Sequence, residues 1–224
     1  MIIGCLALGA TFAAPGFASL VVASGAGPLP GSAQDLTAYD GVTEVVGTLD
    51  FPLGVDMFKI NISAPANFFA YTIFTGAFGV PDPELFLFDA NGLGVLMNDD
   101  VTGGDTQSCL PSMGSLNACP ANRGNLGPLS MGIYYLAITR SANSPLSNSG
   151  YIFSPLLSTD VVGPDLTSGG GDPIVGWDNG VNTSPNFDLT QFDLVISDTP
   201  EPVTSSLIAG AGLALLLYRK RRAR

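Results

Sequence analysis

Before Val203, no stretch of ten residues spaces its apolar side chains at the three- and four-residue interval that would bury one face of a helix. Short runs rich in β-branched and aromatic residues recur instead, separated by Gly, Pro, Asn and Asp. The pattern is sharpest in residues 56–62. There Phe58, Ile60 and Ile62 alternate with Met57, Lys59 and Asn61, so one face of a strand is expected to be buried and the other wet. Val42 to Leu49, Phe68 to Thr75, Leu85 to Ala90, Leu93 to Met97, Gly132 to Thr139 and Phe187 to Ser197 read as further strands, and Phe68 to Thr75, apolar on both faces, as a central one. Asn91-Gly92 between two apolar runs is the strongest short hairpin signal. This set, with its Gly/Pro turns, predicts an all-β fold, an antiparallel β-sandwich or jelly roll, over residues 41–198.

The two ends differ in kind from this middle. Residues 1–24 are apolar and close on small residues, as an export signal does, but carry no basic n-region: either translation starts further upstream or the amino group of Met1 supplies the only positive charge. Cleavage after Ala18 or after Ala23 fits a small-x-small rule. Residues 25–40, rich in Gly, Pro and Ser, read as a flexible lead-in. At the other end, residues 203–218 carry no charge and would rise about 24 Å as a helix, somewhat short of a hydrocarbon core of roughly 30 Å. Long basic side chains at Arg219 and Lys220 can snorkel to cover the deficit. Arg219, Lys220, Arg221, Arg222 and Arg224 favour a cytoplasmic end, which places everything before Pro200 across the membrane.

Charge excludes one class of partner. All 19 acidic residues lie between Asp35 and Glu201, where only Lys59, Arg123 and Arg140 are basic. A phosphate backbone needs a basic face, so nucleic acid is not an expected partner. The chain has no histidine, which removes the commonest general base and transition-metal ligand, and with them Ser-His-Asp and Cys-His catalysis. No serine lies in a Gly-x-Ser-x-Gly elbow. A carboxylate pair of the glycosidase type is uninformative where acidic residues are this numerous. A non-catalytic protein is therefore expected, with a hydrolase the weakest alternative.

The order Pro200-Glu201-Pro202, a short Gly/Ala/Leu-rich span and a terminal Arg219-Lys220-Arg221-Arg222 cluster resembles the PEP-CTERM sorting signal of exported bacterial proteins. A plain tail anchor is the alternative reading of the same segment. The resemblance implies that an exosortase-type enzyme recognises the triplet in residues 199–224, removes the tail and passes the remainder to the cell surface or extracellular matrix, in association with exopolysaccharide. A second resemblance covers residues 45–140 and the final strand. Asp56-Met57-Phe58, Leu85 to Gly92 and Gly132 to Tyr135 are similar to the Asp-x-Phe, Leu-x-Leu-Phe-Asp-x-x-Gly and Gly-x-Tyr-Tyr segments of the bacterial pre-peptidase C-terminal domain, a jelly-roll module. Residues 141–186 depart from that compact module as an insertion.

Three constellations are candidates for chemistry. Cys109 and Cys119 flank a loop without strand character. In an oxidising compartment a disulfide there would close about 11 residues and contribute roughly 3 kcal/mol; two free thiols are the alternative. Asp89, Asn98, Asp99, Asp100 and Asp105 crowd the hairpin and its following loop. Calcium takes six to eight hard oxygens from such groups, whereas a merely solvated loop would use none of them. Trp177, beside Asp178 and Asn179, is either an aromatic platform with a polar rim for a carbohydrate or the residue that pins the insertion to the sandwich. A calcium- or carbohydrate-binding adhesion module is thus the alternative to a purely structural surface protein.

Overall fold

The computed structural model describes residues 19–39, 42–49, 54–73, 82–101, 105–111, 127–154, 159–179 and 190–197. The strands assemble into two five-stranded sheets and one small one. The first sheet runs β1 (Ser19–Val22), β3 (Val42–Leu49), β13 (Thr190–Ser197), β5 (Phe69–Ile73) and β8 (Cys109–Leu110). The second runs β2 (Gln34–Asp35), β4 (Val55–Ile62), β9 (Gly132–Arg140), β6 (Pro83–Asp89) and β7 (Gly94–Asn98). The third joins β11 (Gly150–Tyr151), β10 (Pro145–Ser147) and β12 (Gly176–Trp177). Helical structure among the described residues is confined to short 3₁₀ turns at Pro30–Ser32, Pro65–Asn67 and Gly169–Gly171. None of the described helices is long and apolar enough to cross a membrane, and residues 203–218 lie outside the described residues. The described part of the chain is all-β, as its alternating segments require.

Period-two alternation explains how the two large sheets share one core. Val45, Leu49, Ala70, Phe192, Leu194 and Ile196 of the first sheet meet Phe58, Ile60, Ile62, Leu85, Leu87, Leu136 and Ile138 of the second. The ring centroids of Phe58 and Phe192 sit 6.2 Å apart across this layer. Pairing is antiparallel throughout the described residues except at two edges, where β1 runs parallel to β3 and β2 parallel to β4. On β2, Asp35 forms an ion pair with Lys59 at 2.8 Å, and this bond, with those from Thr37, holds the Asp35 carboxyl down at about 2.

The outer face of the second sheet is not wet where the alternation of residues 56–62 suggests it. Met57 is fully buried, and only Asn61 of the outward set is exposed. A second apolar cluster lies there. Val55, Met57, Phe86, Phe88, Met97 and Ala137 of the sheet are covered by Ile152, Phe153, Ile174 and Trp177 of the insertion. The cover is fastened by paired backbone bonds between Met97 and Val162, 2.9 and 3.0 Å, and by Ile174 N–H donating to the Gly92 carbonyl at 3.0 Å. β6 lies between the two apolar layers, so every residue from Pro83 to Phe88 is buried.

Two further stretches differ from their sequence expectation. Residues 25–39 are built into the fold: Leu36 is buried, Gly27 O accepts from Met57 N–H at 3.2 Å, and Pro28 O accepts from the Trp177 indole at 2.7 Å. β1 lies within the segment expected to be an export signal, yet Val21 belongs to the main core. Gly47 opposite it is required by close approach, since a Cβ there would sit 2.6 Å from the Ala23 Cβ and 2.5 Å from the Phe192 ring.

Candidate metal centre

The β6–β7 hairpin turns on Asp89, Asn91 and Gly92. Gly92 adopts a φ of 80°, which a residue without Cβ takes without strain. The Asp89 Oδ1 accepts from the N–H groups of Asn91 and Leu93 at 2.8 and 2.9 Å. Leu85 then pairs with Asn98, so the residues just outside that pair, Glu84 and Asp99, are brought together at the far end of the hairpin. Asp82 is set beside them through Ser141, whose N–H donates to the Asp82 carbonyl at 2.8 Å.

Carboxylate oxygens of Asp82, Asp99 and Asp100 all lie within 4.8 Å of one another. The Glu84 side chain, 0% exposed, adjoins them, and the charge of Asp99 opposes its ionisation. Its Oε1 accepts from Ala142 N–H at 3.3 Å, but Glu84 Oε2, Asp99 Oδ1 and Asp100 Oδ1 are buried without a hydrogen-bond partner. An oxygen removed from water without a donor costs on the order of 1–3 kcal/mol, and more when charged. Burial is the largest influence on each carboxyl and raises them all. Asp99, additionally opposed by the charges of Asp100 and Asp82, reaches about 7. Glu84 is pushed well above its ordinary value by burial and by Asp99. Asp82 is raised by burial and Asp100, and Asp100 by burial and Asp105. The groups that favour the ionised forms of Asp82, Glu84 and Asp99 are the Ser141 hydroxyl, the Ala142 amide and a neighbouring carboxyl, with no basic side chain among them.

The surrounding backbone is held from below. Ser108 Oγ donates to the carbonyls of Pro83 and Asp99. Asn98, fully buried, donates from Nδ2 to the Asp100 carbonyl at 2.9 Å and accepts from Cys109 N–H at 2.8 Å. Cys109 is disulfide-bonded, while Cys119 lies outside the described residues.

Of the five residues in which the sequence suggested a calcium site, Asp99 and Asp100 are brought together. Asn98 serves the scaffold beneath them and Asp89 serves the turn. Asp105, exposed, accepts from Gln107 N–H at 3.2 Å and reaches the cluster only through its effect on Asp100. Asp82 and Glu84 were not foreseen. Counting outward from Asn91-Gly92 along both arms of the hairpin is the signal that would have found Glu84.

The oxygen donor set fits a hard cation such as calcium and not a soft one, because neither histidine nor a free thiolate faces it. Three buried oxygens lacking donors are the groups such an ion would satisfy. Asp82, Asp99 and Asp100 would supply direct carboxylate ligands, with Glu84 beside them.

Trp177 is 8% exposed and stands edge-to-face against Phe86 and Phe88, with centroids 5.3 and 6.5 Å away. Neither face is open for stacking on a sugar, and the indole N–H is committed to Pro28. Asp178 Oδ1 accepts from Ser144 N–H at 2.9 Å, and Asn179 N–H donates to Asn143 Oδ1 at 3.2 Å. These three residues fasten the insertion in place of forming a carbohydrate rim. Pro200, Glu201, Pro202, Arg219, Lys220, Arg221 and Arg222 lie outside the described residues.

No family model, curated protein or solved structure matches this chain.

Proposed function

We propose that this chain is an exported, non-catalytic cell-surface or extracellular-matrix protein whose β-sandwich binds calcium at the Asp82, Glu84, Asp99 and Asp100 cluster. The observation that carries the reading is the set of buried carboxylate oxygens on Glu84, Asp99 and Asp100 that have no hydrogen-bond donor. Protein groups leave this negative charge uncompensated, and a divalent ion supplies the compensation. Export and sorting rest on sequence: the apolar start, the Pro200-Glu201-Pro202 triplet, and the basic end at Arg219 to Arg222. In this reading an exosortase-type enzyme is the processing partner and residues 203–218 anchor the precursor in the membrane. The jelly-roll relationship to the pre-peptidase C-terminal domain, and association with extracellular polysaccharide, follow from resemblance.

The test is thermal unfolding of the full-length chain in detergent, stripped of metal and then titrated with calcium. Saturation at about 100 times the dissociation constant stabilises by about 2.7 kcal/mol, a rise in midpoint of roughly 5–10 °C for a chain of this size. Asp99→Asn should abolish most of that rise. An unchanged midpoint at millimolar calcium would remove the cation from the proposal.

A further inference from the structure

We infer that the export leader is cut between Ala18 and Ser19, and that the mature protein begins with the edge strand β1. The inference rests on the export reading above and sharpens it, because two cuts satisfy the small-x-small rule and they have opposite consequences for the fold.

A cut after Ala23 would remove β1 entirely. That strand pairs in parallel with β3, placing Leu20 opposite Glu44, Val21 opposite Val45 and Val22 opposite Val46. Ala23 extends the pairing by donating its N–H to the Val46 carbonyl at 2.7 Å. The neighbouring segment closes over the strand's end: Ser24 N–H donates to Gln34 Oε1 at 2.8 Å, and Gln34 Nε2 donates to the Val22 carbonyl at 3.4 Å. Val21 fills part of the main core, and Ala23 packs against it. Losing residues 19–23 would therefore open the core beside Val45 and strip β3 of its partner along one edge, leaving a bare row of backbone groups able to pair with other chains. A cut after Ala18 preserves all of these contacts.

The sequence around the first cut suits a leader-cleaving protease equally well. Residues 2–14 form an uncharged run of 13 residues, within the usual span of about 7–15 for the apolar segment of a leader. Gly16 and Ala18 then put small residues at both positions that a leader-cleaving protease reads.

The experiment is N-terminal sequencing and intact mass of the protein recovered from the exported fraction of cells expressing the full chain. The expected N-terminus is Ser19. Ser24 as the N-terminus overturns the inference while leaving export intact. Retention of Met1 on protein in the exported fraction overturns the inference and the cleavable leader together. A second variant, Ala18→Leu, replaces the small residue at the cut and lies outside the described residues. It should accumulate uncut precursor, and efficient processing of that variant to Ser24 counts against the assigned site.

Discussion

The buried carboxyl groups of Glu84 and Asp99 face one another's charge from adjacent strands, at the end of the β6–β7 hairpin that lies opposite its turn. Two buried carboxylates that oppose one another's charge cannot both ionise cheaply, so in the metal-free protein the pair holds a proton. Both groups bind protons more tightly when folded than when unfolded.

The pH dependence follows from that sign. Stability contributed by a raised carboxyl is complete below its unfolded value of roughly 4 and is lost as pH rises through the folded value. For Asp99 the folded value is about 7. The metal-free melting midpoint should therefore fall between about pH 4 and pH 7. Melts in a chelator across that range would measure it, and Asp99→Asn should flatten the slope. Calcium, by replacing the proton, should restore stability most at the upper end of the range.

Asp89 offers a control, since the sequence grouped it with the acidic loop while the structure assigns it to the turn. Asp89→Ala removes the acceptor for two backbone N–H groups and should cost about 1–3 kcal/mol, read as a lower urea midpoint. The calcium-induced rise in midpoint should be the same as in the parent chain.

Trp177→Ala should be among the most damaging single changes, at about 3–5 kcal/mol by denaturant unfolding, because it empties the space against Phe86 and Phe88 and strands the Pro28 carbonyl. Trp177→Phe keeps an aromatic ring and should cost less. Neither variant should change binding to a panel of glycans, since the parent residue presents no face to them.

The sorting reading has its own test in Glu201→Ala. That chain should keep Arg224 on the exported protein, as read by intact mass. Tail removal at the parental rate would refute recognition of the triplet.

How much of this was legible in the sequence depended on whether the signal was local. The run Val42 to Leu49 forms a strand with the bounds its sequence marks, and Asn91-Gly92 turns the expected hairpin, because alternation and turn chemistry act between neighbours. Met57 was expected to be wet because its cover, Phe153 and Trp177, comes from far along the chain. β1 was hidden for another reason: a short apolar run followed by small residues serves equally as the end of a leader and as an edge strand. β8, β10, β11 and β12 are too short to show any period. At the acidic cluster, sequence proximity drew attention to Asp89 and Asp105, whereas cross-strand pairing selects Glu84.

The insertion's place over the second sheet has a practical consequence. Trimming residues 141–179 to recover a minimal two-layer module would lay bare a hydrophobic wall of Met57, Phe86, Phe88 and Met97. Shortened chains of that kind should stick to one another through the wall that the insertion now hides.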